Sequence, residues 1–141
     1  MKKIVSTSDA PAAIGPYSQA IRSGSMLYCA GQIPLDPATG QIVPGDIGEQ
    51  TKRVLENVAA ILKAEHLSFD HVIKTTVFLT SMDDFQAMNE IYGTYFRENP
   101  PARSTVAVSA LPKGAKVEIE VIAAASENPA TGGKTVSDTS G

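Results

Sequence analysis

The sequence predicts an α+β fold: a single mixed β-sheet with two helices packed on one face, in the order β-β-β-α-β-α-β-β. Three observations predict it. Two segments carry apolar residues at helical spacing. Several short segments alternate in polarity or are rich in β-branched residues. The chain has 141 residues and a mass of 14.8 kDa, which suits one domain. A globule of this size buries roughly 68–70% of its unfolded surface, so one core suffices without disulfides or structural metal.

The elements follow in chain order. Lys2 to Ser6 reads as a short strand, and Thr7 to Pro16, with Pro11, Gly15 and Pro16, as a loop. Tyr17 to Arg22 and Met26 to Ile33 read as strands around a turn at Ser23-Gly24-Ser25. Pro34 to Gly45 holds three prolines and two glycines and is expected to be irregular. Asp46 can cap a helix reaching about His66, whose apolar face is Val54, Leu55, Val58, Ile61 and Leu62. Asp70 to Thr80 reads as a strand. Ser81 and Asp84 resemble a capping box for a second helix over about Met82 to Arg97, ended by Pro100 and Pro101. Its apolar stripe is Phe85, Met88, Ile91, Tyr92, Tyr95 and Phe96. Two strands close the domain, Ala102 to Val108 and Lys116 to Ala125. The domain is expected over residues 1–125, with residues 126–141 as a disordered tail.

Composition narrows the function classes. A chain that is 43% hydrophobic and 19% charged is not a disordered one. No apolar run approaches the ~20 residues that span a bilayer. The net charge is -3 and the pI about 5.3, without the basic stretch from which a nucleic-acid binder gains its affinity. One cysteine, Cys29, allows no internal disulfide, and the N-terminus lacks the apolar centre of a signal peptide. The expected setting is reducing and cytoplasmic, away from membranes.

Strand parity leaves one sheet face unexplained. Val117, Ile119, Val121 and Ala123 share one face of the last strand; Glu118, Glu120, Ile122 and Ala124 share the other. In the strand before it, Ser104, Val106 and Val108 oppose Arg103, Thr105 and Ala107. Placing the apolar sets under the helices puts Arg103, Glu118 and Glu120 on the far face, among small apolar groups. That face fits either a wet surface with an ion pair or an oligomer interface with polar clefts. In the second case a partly buried guanidinium would anchor a carboxylate strongly.

Several chemistries have no residues to carry them. One cysteine and two histidines, His66 and His71, cannot assemble a zinc cluster, so no metal is expected. Cys29 sits among apolar strand residues and reads as an inert buried thiol. The chain has no GxxxxGK[ST], GxGxxG or GxSxG. An enzyme with this inventory would work with Arg, Glu, Tyr, backbone donors and water, on a substrate that is already reactive.

Four stretches, in order, are specific: AIGPYSQA (Ala13 to Ala20), AGQIPLDPATG (Ala30 to Gly40), the N-E-I-Y of the second helix, and PPARSTVAVSALPKGAKVEIEVIA (Pro100 to Ala123). Together they resemble the reactive-intermediate deaminase family, also called the YjgF or L-PSP family, over about Lys2 to Ala125. The resemblance implies a chorismate-mutase-like fold and a homotrimer with clefts between neighbours. It implies hydrolysis of 2-imino or 2-enamino acids (2-aminoacrylate, 2-iminopropanoate, 2-iminobutanoate) to 2-keto acids and ammonia, without cofactor. It also implies that Arg103 grips the substrate carboxylate and that Glu118 orients the attacking water. Tyr17, Gly31, Asn89 and Thr105 fall at substrate-binding positions. Parity alone does not separate Glu118 from Glu120. On pattern alone Gly31 also fits a bulge, Tyr17 a packing anchor and Asn89 an exposed helix residue. Two positions depart from the best-known members: Ala30 where a small polar residue often stands, and Thr105 where a cysteine often does. A ribonuclease or translation inhibitor, or a non-catalytic trimer that binds small acids, is the alternative implied by the same resemblance.

Overall fold

The computed structural model describes residues 1–125; the expected tail lies outside the described residues. The long helix α1 (Ile47–Ala64) begins where Asp46 Oδ1 accepts the Glu49 amide at 3.0 Å, a side-chain cap for an otherwise orphan donor. Val54, Leu55, Val58, Ile61 and Leu62 all face inward and are fully buried. Their spacing is the expected helical stripe, so the burial follows directly from the sequence pattern.

The strands are β1 (Lys2–Val5), β2 (Ala20–Ser23), β3 (Met26–Gln32), β4 (Val72–Leu79), β5 (Ala102–Ala107) and β6 (Val117–Ala124). They form one sheet in the order β1-β2-β3-β6-β4-β5. All neighbours are antiparallel except β4 and β5, which run parallel. A parallel pair needs a crossover, and the second helix, α2 (Phe85–Tyr95), supplies it. Val117, Ile119, Val121 and Ala123 meet the helices in the core, as parity predicts.

Element boundaries moved where side chains compete for the backbone. The strand expected from Tyr17 starts only at Ala20. Helix α2 starts at Phe85 rather than Met82, because Ser81 Oγ accepts the Asp83 amide and caps a 3₁₀ turn instead of a capping box. Likewise Ser68 caps a 3₁₀ turn over Phe69–His71, delaying β4 to Val72.

The face assignment of β5 is corrected. Thr75 pairs with both Arg103 and Val121, and Val77 with both Thr105 and Ile119. Residues paired across neighbouring strands share a face, so Arg103 and Thr105 lie on the helix side, while Ser104 and Val106 lie on the far side. Hydrophobicity misled here because β5 is an edge strand. What covers it is the Phe85, Asn89 and Tyr92 side of α2, which accommodates a guanidinium. Val106, expected in the core, is 43% exposed.

Glu118 and Glu120 remain on the far face, as expected. So does a row of register partners, Ile4, Ile21, Tyr28 and Ile122. Ile4 is 63% exposed and Tyr28 46%, so this apolar row has no cover among the described residues.

Candidate active site

Two groups of residues gather the chemistry, one on each face of the sheet. The first surrounds Glu118. Strand β3 shifts register between Cys29 and Gln32, an irregularity that places Gly31 against the neighbouring strand β6. The Glu118 carboxylate occupies the space where a Cβ at position 31 would stand. A Cβ at position 31 would force the Glu118 side chain to shift, so the glycine matters here by close approach, not by backbone angle. Glu118 then faces a cavity of about 580 Å³, walled also by Tyr17, Gln19, Ala30, Gly31 and Leu35. Tyr17 stands at its mouth, 55% exposed. Burial pushes the Glu118 pKa above the ordinary glutamate value, and the nearby Glu120 carboxylate adds to the rise. Glu120 itself is exposed and does not line the cavity, so position separates the two glutamates where parity did not.

The cavity floor is fixed from below. Asn57, fully buried on α1, donates to the carbonyls of Leu35 at 3.0 Å and Ile33 at 3.3 Å. Arg53 in turn donates twice to Asn57 Oδ1, which orients the amide.

The second group surrounds Arg103. Its Nη1 donates to Asn89 Oδ1 at 2.6 Å. The guanidinium carbon lies 4.7 Å from the Tyr92 ring centroid and 5.5 Å from that of Phe85. A planar cation against two rings is held by cation–π attraction and loses little hydration. Tyr92 is itself fixed: its hydroxyl shares a 2.7 Å hydrogen bond with the buried Thr75 Oγ1. Burial raises the Tyr92 pKa, against the Thr75 bond and the Arg103 charge, which lower it. Thr105 lies two residues on, along the same strand face. Its buried Oγ1 has no hydrogen-bond partner among the described residues.

The expected residues are thus sorted rather than gathered. Tyr17, Gly31 and Glu118 meet at the cavity; Arg103, Asn89 and Thr105 meet on the helix side. The sequence places Phe85 and Tyr92 in the packing stripe of α2, and Tyr92 also in the N-E-I-Y stretch, without marking either as a support for Arg103. Helical periodicity cannot distinguish a core aromatic from one that also supports a cation. Gln19 lies within the AIGPYSQA stretch, but nothing in the sequence marks its side chain. Cys29 is buried, and burial pushes its thiol up to about 12, which makes it unreactive. Among the described residues no cluster of His, Cys, Asp or Glu could hold a metal ion, and no helix is long and apolar enough to cross a membrane.

The family model described as endoribonuclease L-PSP matches residues 7–125. The chain belongs to the L-PSP family. Its relatives include a RutC family protein of Pyrococcus horikoshii, 57% identical over 123 residues, covering 87% of this chain and 98% of that protein. The 2-iminobutanoate/2-iminopropanoate deaminase of Mus musculus is 52% identical over 123 residues, covering 87% of this chain and 91% of that protein. Among solved structures, E. coli TdcF with bound serine superposes with a TM-score of 0.84 at 49% identity, over 88% of this chain and 99% of that one. Both residue groups lie within the span that the L-PSP family model matches.

Proposed function

We propose that this chain hydrolyses 2-imino and 2-enamino acids to 2-keto acids and ammonia, at sites composed between neighbouring copies of a homotrimer. The observation that carries the reading is the split placement of Arg103 and Glu118. From β6 to β5 is two strand spacings, and the residues are also offset by three positions along the strands. Their backbones are therefore roughly 14 Å apart, with side chains directed to opposite faces. A three- or four-carbon acid cannot touch both in one copy. Arg103 stands on the edge strand β5, so a neighbouring copy set against that edge, with the uncovered Ile4–Ile21–Tyr28–Ile122 row buried in the same assembly, would bring the Arg103 of one copy toward the Glu118 of another.

The chemistry follows from the groups. The guanidinium, clamped by Asn89, Phe85 and Tyr92, takes the substrate carboxylate as a bidentate fork. This leaves C2 of the protonated imine near the Glu118 cavity. Glu118, as a carboxylate with a raised pKa, accepts a proton from water as its oxygen bonds to C2. The product is a tetrahedral carbinolamine. Glu118 returns the proton to the nitrogen; as the C–N bond breaks, the carbinolamine hydroxyl forms the C=O and gives its proton to the freed Glu118 carboxylate, which passes it to the departing ammonia, so that ammonium and the 2-keto acid leave. The imine is labile, so orientation and charge placement suffice to accelerate it. The deaminase named in the mouse relative and the serine held by TdcF both support a small amino or imino acid as the ligand.

The test generates 2-aminoacrylate in situ and follows keto-acid and ammonia release. Arg103→Ala is expected to lose at least about 10²-fold in kcat/KM. Equal rates for the variant and the wild type would reject the mechanism.

A further inference from the structure

The loop between β1 and β2 walls the cavity but contains no helix or strand. Such a segment holds one shape only when its backbone polar groups have fixed partners. The primary amide of Gln19 supplies them, at 4% exposure. Its Oε1 accepts the Thr7 amide at 2.7 Å. Its Nε2 donates to the Pro11 carbonyl at 2.7 Å, with those of Thr7 and Ala10 at 3.0 and 3.3 Å. The Gln19 backbone carbonyl accepts from the Ala30 amide at 2.9 Å. One residue thus joins the start of the loop, its Pro11 bend and the strand irregularity that carries Gly31.

Tyr17 depends on that loop. Its ring lies over Gly15, where a Cβ would sit 3.7 Å from the nearest ring carbon, and its amide donates to the Gly15 carbonyl at 2.9 Å. Among the described residues its hydroxyl has no side-chain or backbone partner, so the course of the loop and the packing over Gly15 set where the ring stands.

We propose that Gln19 is a positioning residue for the reaction: its buried amide holds the loop that seats Tyr17 at the cavity it shares with Gly31 and Glu118. The inference rests on the reading of that cavity as the reacting half of the site. An amide fits the position because it offers an acceptor to one N–H and donors to several carbonyls at once. Gln19→Glu keeps the acceptor for Thr7 but turns a second acceptor toward the carbonyls of Thr7, Ala10 and Pro11. Gln19→Leu roughly keeps the volume and removes every side-chain bond.

The experiment makes both substitutions in the full chain, each in the wild-type and the Tyr17→Ala background, with Glu118→Gln alongside. With Tyr17 present, each Gln19 variant is expected to lose at least ~10-fold in kcat/KM for 2-aminoacrylate, and less than ~2-fold when residue 17 is alanine. The loss in Tm should be the same in both backgrounds. A purely structural role predicts the same fold loss in rate in both backgrounds, and that result, or full activity in both variants, defeats the proposal. If Glu118→Gln keeps the wild-type rate, the reading of the cavity fails instead. Amide hydrogen exchange gives a readout independent of turnover. Thr7 should exchange faster in both Gln19 variants while β6 amides do not change; an unchanged Thr7 rate contradicts the holding role even without activity. Should Gln19→Leu fail to fold, Gln19→Glu decides alone.

Discussion

Arg103 and Glu118 lie on opposite faces of one sheet with β4 between them. Each is built for its task by different neighbours. Arg103 rests against Tyr92 and Phe85 and bonds Asn89, whereas Glu118 fills the gap left by the missing side chain of Gly31.

The Glu118 pKa rise has a removable part. Glu120 lies two residues away on the same face and its charge disfavours ionisation of Glu118. Glu120→Gln therefore lowers the Glu118 pKa. If ionised Glu118 is the base, the acid limb of the kcat/KM profile shifts to lower pH in this variant. A pH series on both proteins checks the direction; a shift to higher pH contradicts the role given to Glu118.

Gly31 tolerates no side chain while Glu118 keeps its place. Gly31→Ala displaces the carboxylate, and a displacement of about 1 Å can cost ~10²-fold in rate. The expected result is a fall in kcat of that order. The same assay on Gly24→Ala controls for a general effect of replacing glycine, since a Cβ at Gly24 meets nothing within 4 Å, although its φ of 59° adds local strain.

Tyr92 separates packing from hydrogen bonding. Tyr92→Phe keeps the ring under Arg103 but leaves the Thr75 hydroxyl buried without its partner. It should cost about 1–3 kcal/mol in denaturant unfolding with KM nearly unchanged. Tyr92→Leu removes the ring as well and should raise KM several-fold, since a cation–π contact is worth about 0.5–2 kcal/mol. If Tyr92→Phe raises KM as much as Tyr92→Leu, the ring is not what supports the guanidinium.

Much of this was legible in the chain. The stripe from Val54 to Leu62 and the alternation from Val117 to Ala123 name the core directly, because burial follows fixed periods. The motifs around Tyr17, Gly31, Arg103 and Glu118 point to residues that the structure divides between a cavity and the helix side of β5. What the sequence concealed was the face of Arg103. Parity says which residues share a side, but not which side an edge strand turns to the helices. That depends on the register of β5 against β4, a pairing between segments separated by all of α2. The role of Gln19 was hidden for a similar reason: its partners are backbone atoms, which leave no mark in residue identity.

A composite site makes a prediction that no single-chain site can match. Arg103→Ala and Glu118→Gln are each expected to be nearly inactive. Mixed trimers, formed by co-expression or joint refolding, would contain interfaces that join an intact Arg103 from one copy to an intact Glu118 from another. With random equal mixing, about a quarter of the sites in a cyclic trimer are of this kind. Deaminase activity of the mixture should therefore recover to about a quarter of wild type, following the statistics of closed symmetric assembly. Mixed trimers that form and remain as inactive as the separate variants would contradict a site shared between copies.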